Sequence, residues 1–167
     1  MKDLLTSGSD IDFEVVYNRY KTAVYRFCRR MLNDDDAKDI VQEIFMKFLE
    51  TPFSYDGDAR VKGWLFKAAR NRCLNVIRDK EKFTLAADDE TAPAENREFN
   101  DTDTVVKALL DKMPLEYREI LIMREWSELS YDEIAEALDT TASSVKSKIF
   151  KARKKAREIY EKLYGEK

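Results

Sequence analysis

Apolar residues recur at steps of three and four along most of this 167-residue chain, and this spacing restricts the possible folds more than any other feature. Between residues 13 and 32 they fall at Phe13, Val16, Tyr17, Tyr20, Val24, Phe27, Cys28 and Met31. A period near 3.6 residues places such side chains on one face of an α-helix. The chain also has only four glycines and three prolines, the residues that interrupt helices. The sequence therefore predicts an all-α protein of packed amphipathic helices.

The same spacing predicts further helices, separated by short polar segments. One runs from about residue 35 to 51 and stops before Pro52; its inward residues are Ala37, Ile40, Val41, Ile44, Phe45, Phe48 and Leu49. After a loop at 52–58, the next has an apolar stripe of Val61, Leu65, Ala69, Cys73 and Val76. Two more helices are predicted over 104–113 and over about 114–126.

Residues 81–103 differ in composition, with eight acidic and two basic residues and Pro93 in the middle. Such a segment buries little apolar surface, so it predicts a flexible linker. The predicted organisation is a three-helix domain over 10–80, an acidic linker over 81–103 and a four-helix domain over 104–164.

Residues 130–157 predict a helix, a short turn and a second helix. Ser130 followed by Glu133 is a capping box, which starts the first helix. The polar residues 139–141 form the turn, and the second helix begins near Ala142 with Val145 on its inward face. This is the outline of a helix-turn-helix that reads DNA.

Positive charge is concentrated on two segments, although the whole chain carries a net charge of −3. Residues 140–157 contain seven Lys or Arg and no acid, and residues 60–80 contain seven bases and one acid. Residues 104–139, by contrast, contain nine acids and four bases. Concentrated cations can engage a phosphate backbone. A solvated basic helix on an ordinary helical protein is the alternative interpretation.

Several classes of function are disfavoured by what the sequence lacks. It has no histidine, the commonest general base and metal ligand, and no glycine-rich phosphate loop, so we expect no enzyme, metal or cofactor. Cys28 and Cys73 belong to no metal-binding spacing, and we expect reduced core thiols. No apolar run is long enough to span a bilayer and no export signal is present, so we expect a cytoplasmic protein without membrane insertion.

Four strings occur together, in one order and spacing: DAKDIVQEIF at 36–45, GWLFKAARN at 63–71, and residues 109–118 and 131–153. They cover nearly the whole chain, which resembles a bacterial RNA polymerase sigma factor of the extracytoplasmic-function (ECF) group. The resemblance implies a two-domain transcription initiation factor with sigma region 2 and sigma region 4. The implied partners are promoter DNA, the largest-subunit clamp and second-largest-subunit flap of core RNA polymerase, and an anti-sigma factor, which is membrane-bound in some systems.

The resemblance also implies roles for individual residues. The face of the second helix that matches the polymerase-docking surface is Asp39, Gln42 and Glu43. Recognition of the single-stranded minus-ten element falls to Tyr55, Ala59, Lys67, Arg70, Asn71, Arg72, Asn75 and Arg78. Recognition of the duplex minus-thirty-five element falls to Ser143, Ser144, Lys146, Ser147, Phe150, Lys151, Arg153, Lys154 and Arg157.

Two rival interpretations remain. A response-regulator or autoinducer-sensor type of regulator shares the C-terminal helix-turn-helix, but residues 1–80 show no strand pattern for a sensory domain. A helical interaction module without a DNA role is the other. If the chain is a sigma factor, we expect it to bind promoter DNA poorly alone, because polymerase is needed to set the spacing of its two tethered domains.

Overall fold

The computed structural model describes residues 12–51, 58–86 and 101–165, and no strand occurs in these ranges. The helices are α1 (Phe13–Met31), α2 (Asp34–Glu50), α3 (Asp58–Ala86), α4 (Asp101–Lys112), α5 (Leu115–Leu121), α6 (Tyr131–Ala137) and α7 (Ala142–Tyr164). A π-helical turn, Ile122–Trp126, follows α5 directly. The predicted all-α class is confirmed.

Helices α1, α2 and α3 form the N-terminal domain around a core of apolar side chains. Phe27 and Phe66 are fully buried at its centre, with ring centroids 5.8 Å apart in an edge-to-face arrangement. Truncation of such a residue to alanine costs about 3 to 5 kcal/mol. Cys28 and Cys73 are free and buried in this core. The hydrogen bond between the Cys28 and Cys73 thiols and the burial of Cys28 both raise the pKa of Cys28 well above its ordinary value.

Local capping explains where the first two helices begin. Asp12 caps α1 by accepting a hydrogen bond of 3.0 Å from the backbone amide of Glu14. Asn33 caps α2, because its side-chain oxygen accepts a hydrogen bond of 2.8 Å from the backbone amide of Asp36. Acidic residues in the first turn of α2 add favourable interactions with the helix dipole.

Two positions differ from the predicted inward faces. Leu49 is 63% exposed and Tyr17 is 37% exposed, although the helical period placed both in the core. Leu49 lies in the last turn of α2, and the described helices of the bundle do not cover that face. Trp64, by contrast, packs on Phe48 at 5.4 Å between ring centroids.

Helices α4 to α7 and the π-helical turn form the C-terminal domain. The segment predicted as one helix over 114–126 is α5 followed by the π-helical turn, a local widening that periodicity cannot reveal. The predicted capping box is present. The Glu133 amide donates a hydrogen bond of 3.1 Å to the Ser130 hydroxyl, and the Ser130 amide donates one of 3.3 Å to the Glu133 carboxylate. Thr141 is the cap of α7.

The turn between α6 and α7 contains a residue with left-handed backbone. Asp139 has φ of 51°, a conformation that glycine adopts most easily and that aspartate tolerates better than most residues. This explains how the chain makes the turn of the helix-turn-helix without glycine.

The two domains are in contact. Helix α3 packs along α6, and α1 contacts the π-helical turn. Helix α3 continues to Ala86 and α4 starts at Asp101, so both ends of the predicted 81–103 linker are helical, while 87–100 lies outside the described residues.

Candidate nucleic-acid interface

Helix α7 separates a buried face from a basic exposed face. Val145, Ile149 and Ala152 are at most 2% exposed and pack into the C-terminal domain. The nine residues predicted to contact duplex DNA are all exposed: Ser143, Ser144, Lys146, Ser147, Phe150, Lys151, Arg153, Lys154 and Arg157. The helical period therefore places the whole predicted set outside the core, on the part of α7 that solvent or DNA can reach.

Two of these cations have partners within the domain. Arg153 donates hydrogen bonds of 2.7 and 3.2 Å to one carboxylate oxygen of Glu125, and this hydrogen bonding raises the pKa of Arg153. The Lys146 ammonium lies 5.5 Å from the ring centre of Tyr131, whose ring also contacts Arg124 at 4.5 Å. These contacts orient side chains that would otherwise move freely in solvent.

Phe150 is an apolar side chain in the middle of this basic face, and it is 72% exposed. Leaving a phenylalanine in water is unfavourable unless a partner covers it. In a DNA major groove, the natural apolar partner is the methyl group of thymine. The position of Phe150 therefore suits contact with a base edge rather than with phosphate.

A cleft of about 420 Å³ lies at the start of α7. Its lining includes the predicted Ser143, Ser144, Ser147 and Lys151, and also Glu116, Tyr117 and Lys148, which sequence reasoning did not assign to the site. Lys148 approaches Glu116 at 3.5 Å. Lys148 could have been assigned to the site because it belongs to the basic segment 140–157. No feature of the local sequence indicates that Glu116 or Tyr117 lines the cleft.

The residues predicted on α3 divide into two groups. Asn71, Asn75 and Arg78 are exposed. Lys67 forms an ion pair with Asp139, and Arg70 donates a hydrogen bond of 2.7 Å to Glu119. Both acids belong to the C-terminal domain.

Tyr55 and Ala59, the other two predicted minus-ten residues, precede or begin α3. Tyr55 lies outside the described residues, and Ala59 is described only as helical backbone.

The predicted polymerase-docking residues Asp39, Gln42 and Glu43 are all exposed on α2. The Arg72 Nε of α3 lies 2.8 Å from the Glu43 carboxylate. A residue predicted to bind polymerase therefore contacts a residue predicted to bind DNA. Met46 is 63% exposed one turn further along α2, on the outer face where the helical period places it.

The described residues contain no group of three acidic or cysteine side chains positioned to hold a metal ion. None of the described helices is both long and apolar enough to cross a membrane.

Two family models match the chain. The model of sigma-70 region 2 matches residues 16–83, and the model of sigma-70, region 4 matches residues 104–155. These ranges coincide with the two domains and leave the segment between them outside both models.

Known proteins with similar sequences span almost the whole chain. The ECF RNA polymerase sigma factor SigM of Bacillus subtilis is 31% identical over 155 residues, covering 87% of this chain and 93% of that protein. The RNA polymerase sigma factor SigV of the same organism is 32% identical over 124 residues, covering 73% and 74%. The ECF RNA polymerase sigma-E factor of Escherichia coli is 27% identical over 162 residues, covering 87% and 85%.

Solved structures share the fold. The sigma factor RpoE from Bartonella quintana, in complex with the anti-sigma factor NepR, superposes with a TM-score of 0.68 at 24% identity and covers 89% of this chain and 96% of that one. CnrH, in complex with the cytosolic domain of CnrY, superposes with a TM-score of 0.62 at 20% identity and covers 88% and 86%.

Proposed function

The chain belongs to the extracytoplasmic-function group of RNA polymerase sigma factors, and we propose that it reads a promoter with α7 on duplex DNA and α3 on a melted strand. As a sigma factor it directs RNA polymerase to promoters. The observation that carries the division of labour is the exposed basic face of α7, backed by a buried apolar face within a capped helix-turn-helix.

On the minus-thirty-five element, α7 would lie in the major groove. Lys146, Ser147, Phe150 and Lys151 occupy its first half, where a recognition helix meets base edges. Arg153, Lys154 and Arg157 lie further along and would hold phosphates. Ser143 and Ser144 stand at the helix start, where hydroxyls and backbone amides bind a phosphate.

On the minus-ten element, α3 would contact one unpaired strand. Asn71 and Asn75 have amide groups that can bond base edges, and Lys67, Arg70, Arg72 and Arg78 are cations suited to phosphate. A pocket for a flipped base needs an aromatic or apolar wall, for which Tyr55 and the chain up to Ala59 are the candidates.

Docking on polymerase would use Asp39, Gln42 and Glu43 of α2. An exposed stripe of carboxylates and an amide suits the arginine-rich surface of a helical partner, such as the clamp of the largest subunit. The flap of the second-largest subunit would receive the C-terminal domain. Such a factor acts in the cytoplasm with its polymerase and needs no catalytic group or cofactor of its own.

Control by an anti-sigma factor is part of the proposal. Of the two solved structures described above, one is a sigma factor in complex with an anti-sigma factor, and the other is CnrH in complex with the cytosolic domain of CnrY. The support is at the level of the fold, since both are under 25% identical to this chain.

Reconstituted transcription tests the proposed function. Core polymerase with this chain on a genomic DNA library should give discrete transcript starts, which sequencing of the 5′ ends will locate. The triple variant K146E/K151E/K154E should abolish starts at promoters that depend on the minus-thirty-five element. Lys162 is exposed in the last turn of α7, and K162E is the matched control that should leave these starts in place.

The same experiment separates the rivals. A helical module without a DNA role predicts no discrete starts, and no effect of reversing the three lysines. A regulator of the response-regulator type would change the frequency of starts made by another sigma factor but would create none by itself.

A further inference from the structure

Opposite charges meet where the two domains touch. A basic face of α3, formed by Lys62, Lys67 and Arg70, lies against an acidic face of the C-terminal domain, formed by Glu119, Glu133, Glu136 and Asp139. Lys62 is 2.8 Å from Glu133, Arg70 is 2.7 Å from Glu119, and Lys67 pairs with Asp139. Each of these three ion pairs joins one domain to the other.

Close packing accompanies the charge pairing. Gly63 is buried, and a Cβ added there would lie 2.9 Å from the Cβ of Glu136 and closer still to its Cγ. Ala137 of α6 is 1% exposed. Small residues on both helices let the backbones approach, so the contact is a fitted surface as well as an electrostatic one.

Burial of one of the acids indicates that the surface is adapted to being covered. Glu119 is only 3% exposed, and an ionised carboxylate is rarely buried without a paired charge. Arg70, from the other domain, supplies that charge. The contact extends to α1, where Arg30 lies 5.3 Å from the ring of Trp126 and 3.3 Å from Asp103.

We propose that in the free chain the acidic face of the C-terminal domain occupies Lys67 and Arg70, two cations of the minus-ten surface of α3, and competes with DNA phosphates for them. This inference rests on the proposed function, because it takes α3 as the minus-ten reader. A carboxylate and a phosphate need the same cation in the same place. The two states are therefore mutually exclusive at these two side chains.

The masking is one-sided. The basic face of α7 remains exposed, so closure leaves the duplex-reading surface accessible and withdraws only Lys67 and Arg70 from contact with the melted strand. Poor promoter binding by the free chain then follows from these two occupied cations, in addition to the undefined spacing of tethered domains. Binding to polymerase, which must separate the domains along the promoter, would uncover α3.

The test opens the contact without touching α3. The double variant E119Q/D139N removes two interdomain ion pairs with side chains of the same shape, and asparagine also tolerates the positive φ at 139. D132N/E161Q is the matched control, because it removes the same total charge at two exposed positions of α6 and α7. Both variants and the wild type are compared as full chains.

Two measurements are made on each protein. Small-angle X-ray scattering should give the wild type and the control a radius of gyration near the value for a compact chain of 167 residues, about 15 Å. E119Q/D139N should be larger by several ångström. Fluorescence anisotropy with a dye-labelled single-stranded DNA of randomised sequence should show about 5- to 10-fold tighter binding by E119Q/D139N than by the control, as phosphate contacts are gained.

Either of two results overturns the inference: a wild type as extended as E119Q/D139N, or an opened variant that binds single strands no better than the control. Failure of the proposed function is seen separately, as an absence of discrete starts with core polymerase, since scattering involves no DNA.

Discussion

The Arg70 guanidinium donates a hydrogen bond of 2.7 Å to the carboxylate of Glu119, and through this pair α3 reaches across to α5. Burial raises the pKa of the Glu119 carboxyl above its ordinary value, although Arg70 lowers it in part. Ionisation of Glu119 is thus harder in the folded protein than in the unfolded chain.

This shift predicts a pH dependence of stability. A raised folded pKa means that the contribution of Glu119 is fully present below its unfolded pKa and is lost as pH rises through the folded pKa. The free energy of unfolding of E119Q minus that of the wild type should therefore increase between about pH 4 and pH 7, the range above the ordinary glutamate pKa. Urea unfolding at a series of pH values measures this difference. The contributions of the other carboxylates to the pH dependence are common to both proteins and cancel in the subtraction. A difference that stays constant or falls with pH would contradict the prediction.

Gly63→Ala should have opposite effects on α3 and on the domain contact. Within a lone helix the change stabilises by about 1 kcal/mol. In the packed protein the new methyl group meets Glu136, and overpacking of this kind costs about 1 to 3 kcal/mol. We expect unchanged or higher helix content by circular dichroism, with a larger radius of gyration by X-ray scattering.

The double variant G63A/E136A is the control for that overlap. It removes the Cγ that lies nearest to the new methyl group but keeps the Cβ at 2.9 Å, so compactness should return in part. If G63A remains as compact as the wild type, the close approach of α3 and α6 does not hold the domains together.

Tyr131 should act as a positioning residue for Lys146. Its ring contacts both Arg124 and Lys146, and loss of an exposed cation–π contact costs about 0.5 to 1 kcal/mol. Y131L should therefore weaken binding to promoter duplex about two- to five-fold, whereas Y131F should keep wild-type affinity. Duplex affinity by anisotropy, with melting temperatures to check folding, distinguishes the two variants; equal affinity of Y131L and Y131F would exclude this role.

Thr141 caps α7 by accepting a hydrogen bond of 3.1 Å from the Ser144 amide. T141A should lower the free energy of unfolding by about 1 kcal/mol, and T141S should restore most of it because the hydroxyl is kept. Thr140 is exposed beside it and is not the cap, so T140A serves as the control. Equal unfolding midpoints for T141A and T140A would show that the cap contributes little.

Much of the fold could be predicted because its signals are local. The capping box at Ser130 and Glu133 links residues three apart, and the apolar stripe of α7 repeats within one helix. The exposed basic face of α7 follows from the same period, since whatever is not turned to the core faces solvent. The helical period had already indicated that these residues of α7 are exposed. The family resemblance then assigned roles to them.

Other features could not be predicted, because they depend on what packs nearby. Leu49 keeps the helical period of α2 but is not covered by any neighbour among the described residues, and the π-helical turn Ile122–Trp126 leaves no local mark in the apolar pattern. The opposite charges of segments 60–80 and 104–139 were visible in the sequence, but composition does not say whether such segments meet each other or separate partners.

The sequence by itself determined most of the helices, the capping box at Ser130 and Glu133, and the side of α7 that carries the cations, since these depend on residues within one or two turns of each other. Only the tertiary structure decided that Lys67 and Arg70 contact Asp139 and Glu119, partners 72 and 49 residues away along the chain. The physical reason is that any carboxylate can neutralise any nearby cation, so only the packing of α3 on the C-terminal domain selects which of them pair. The basic face of α3 is thereby placed against the acidic face of the C-terminal domain.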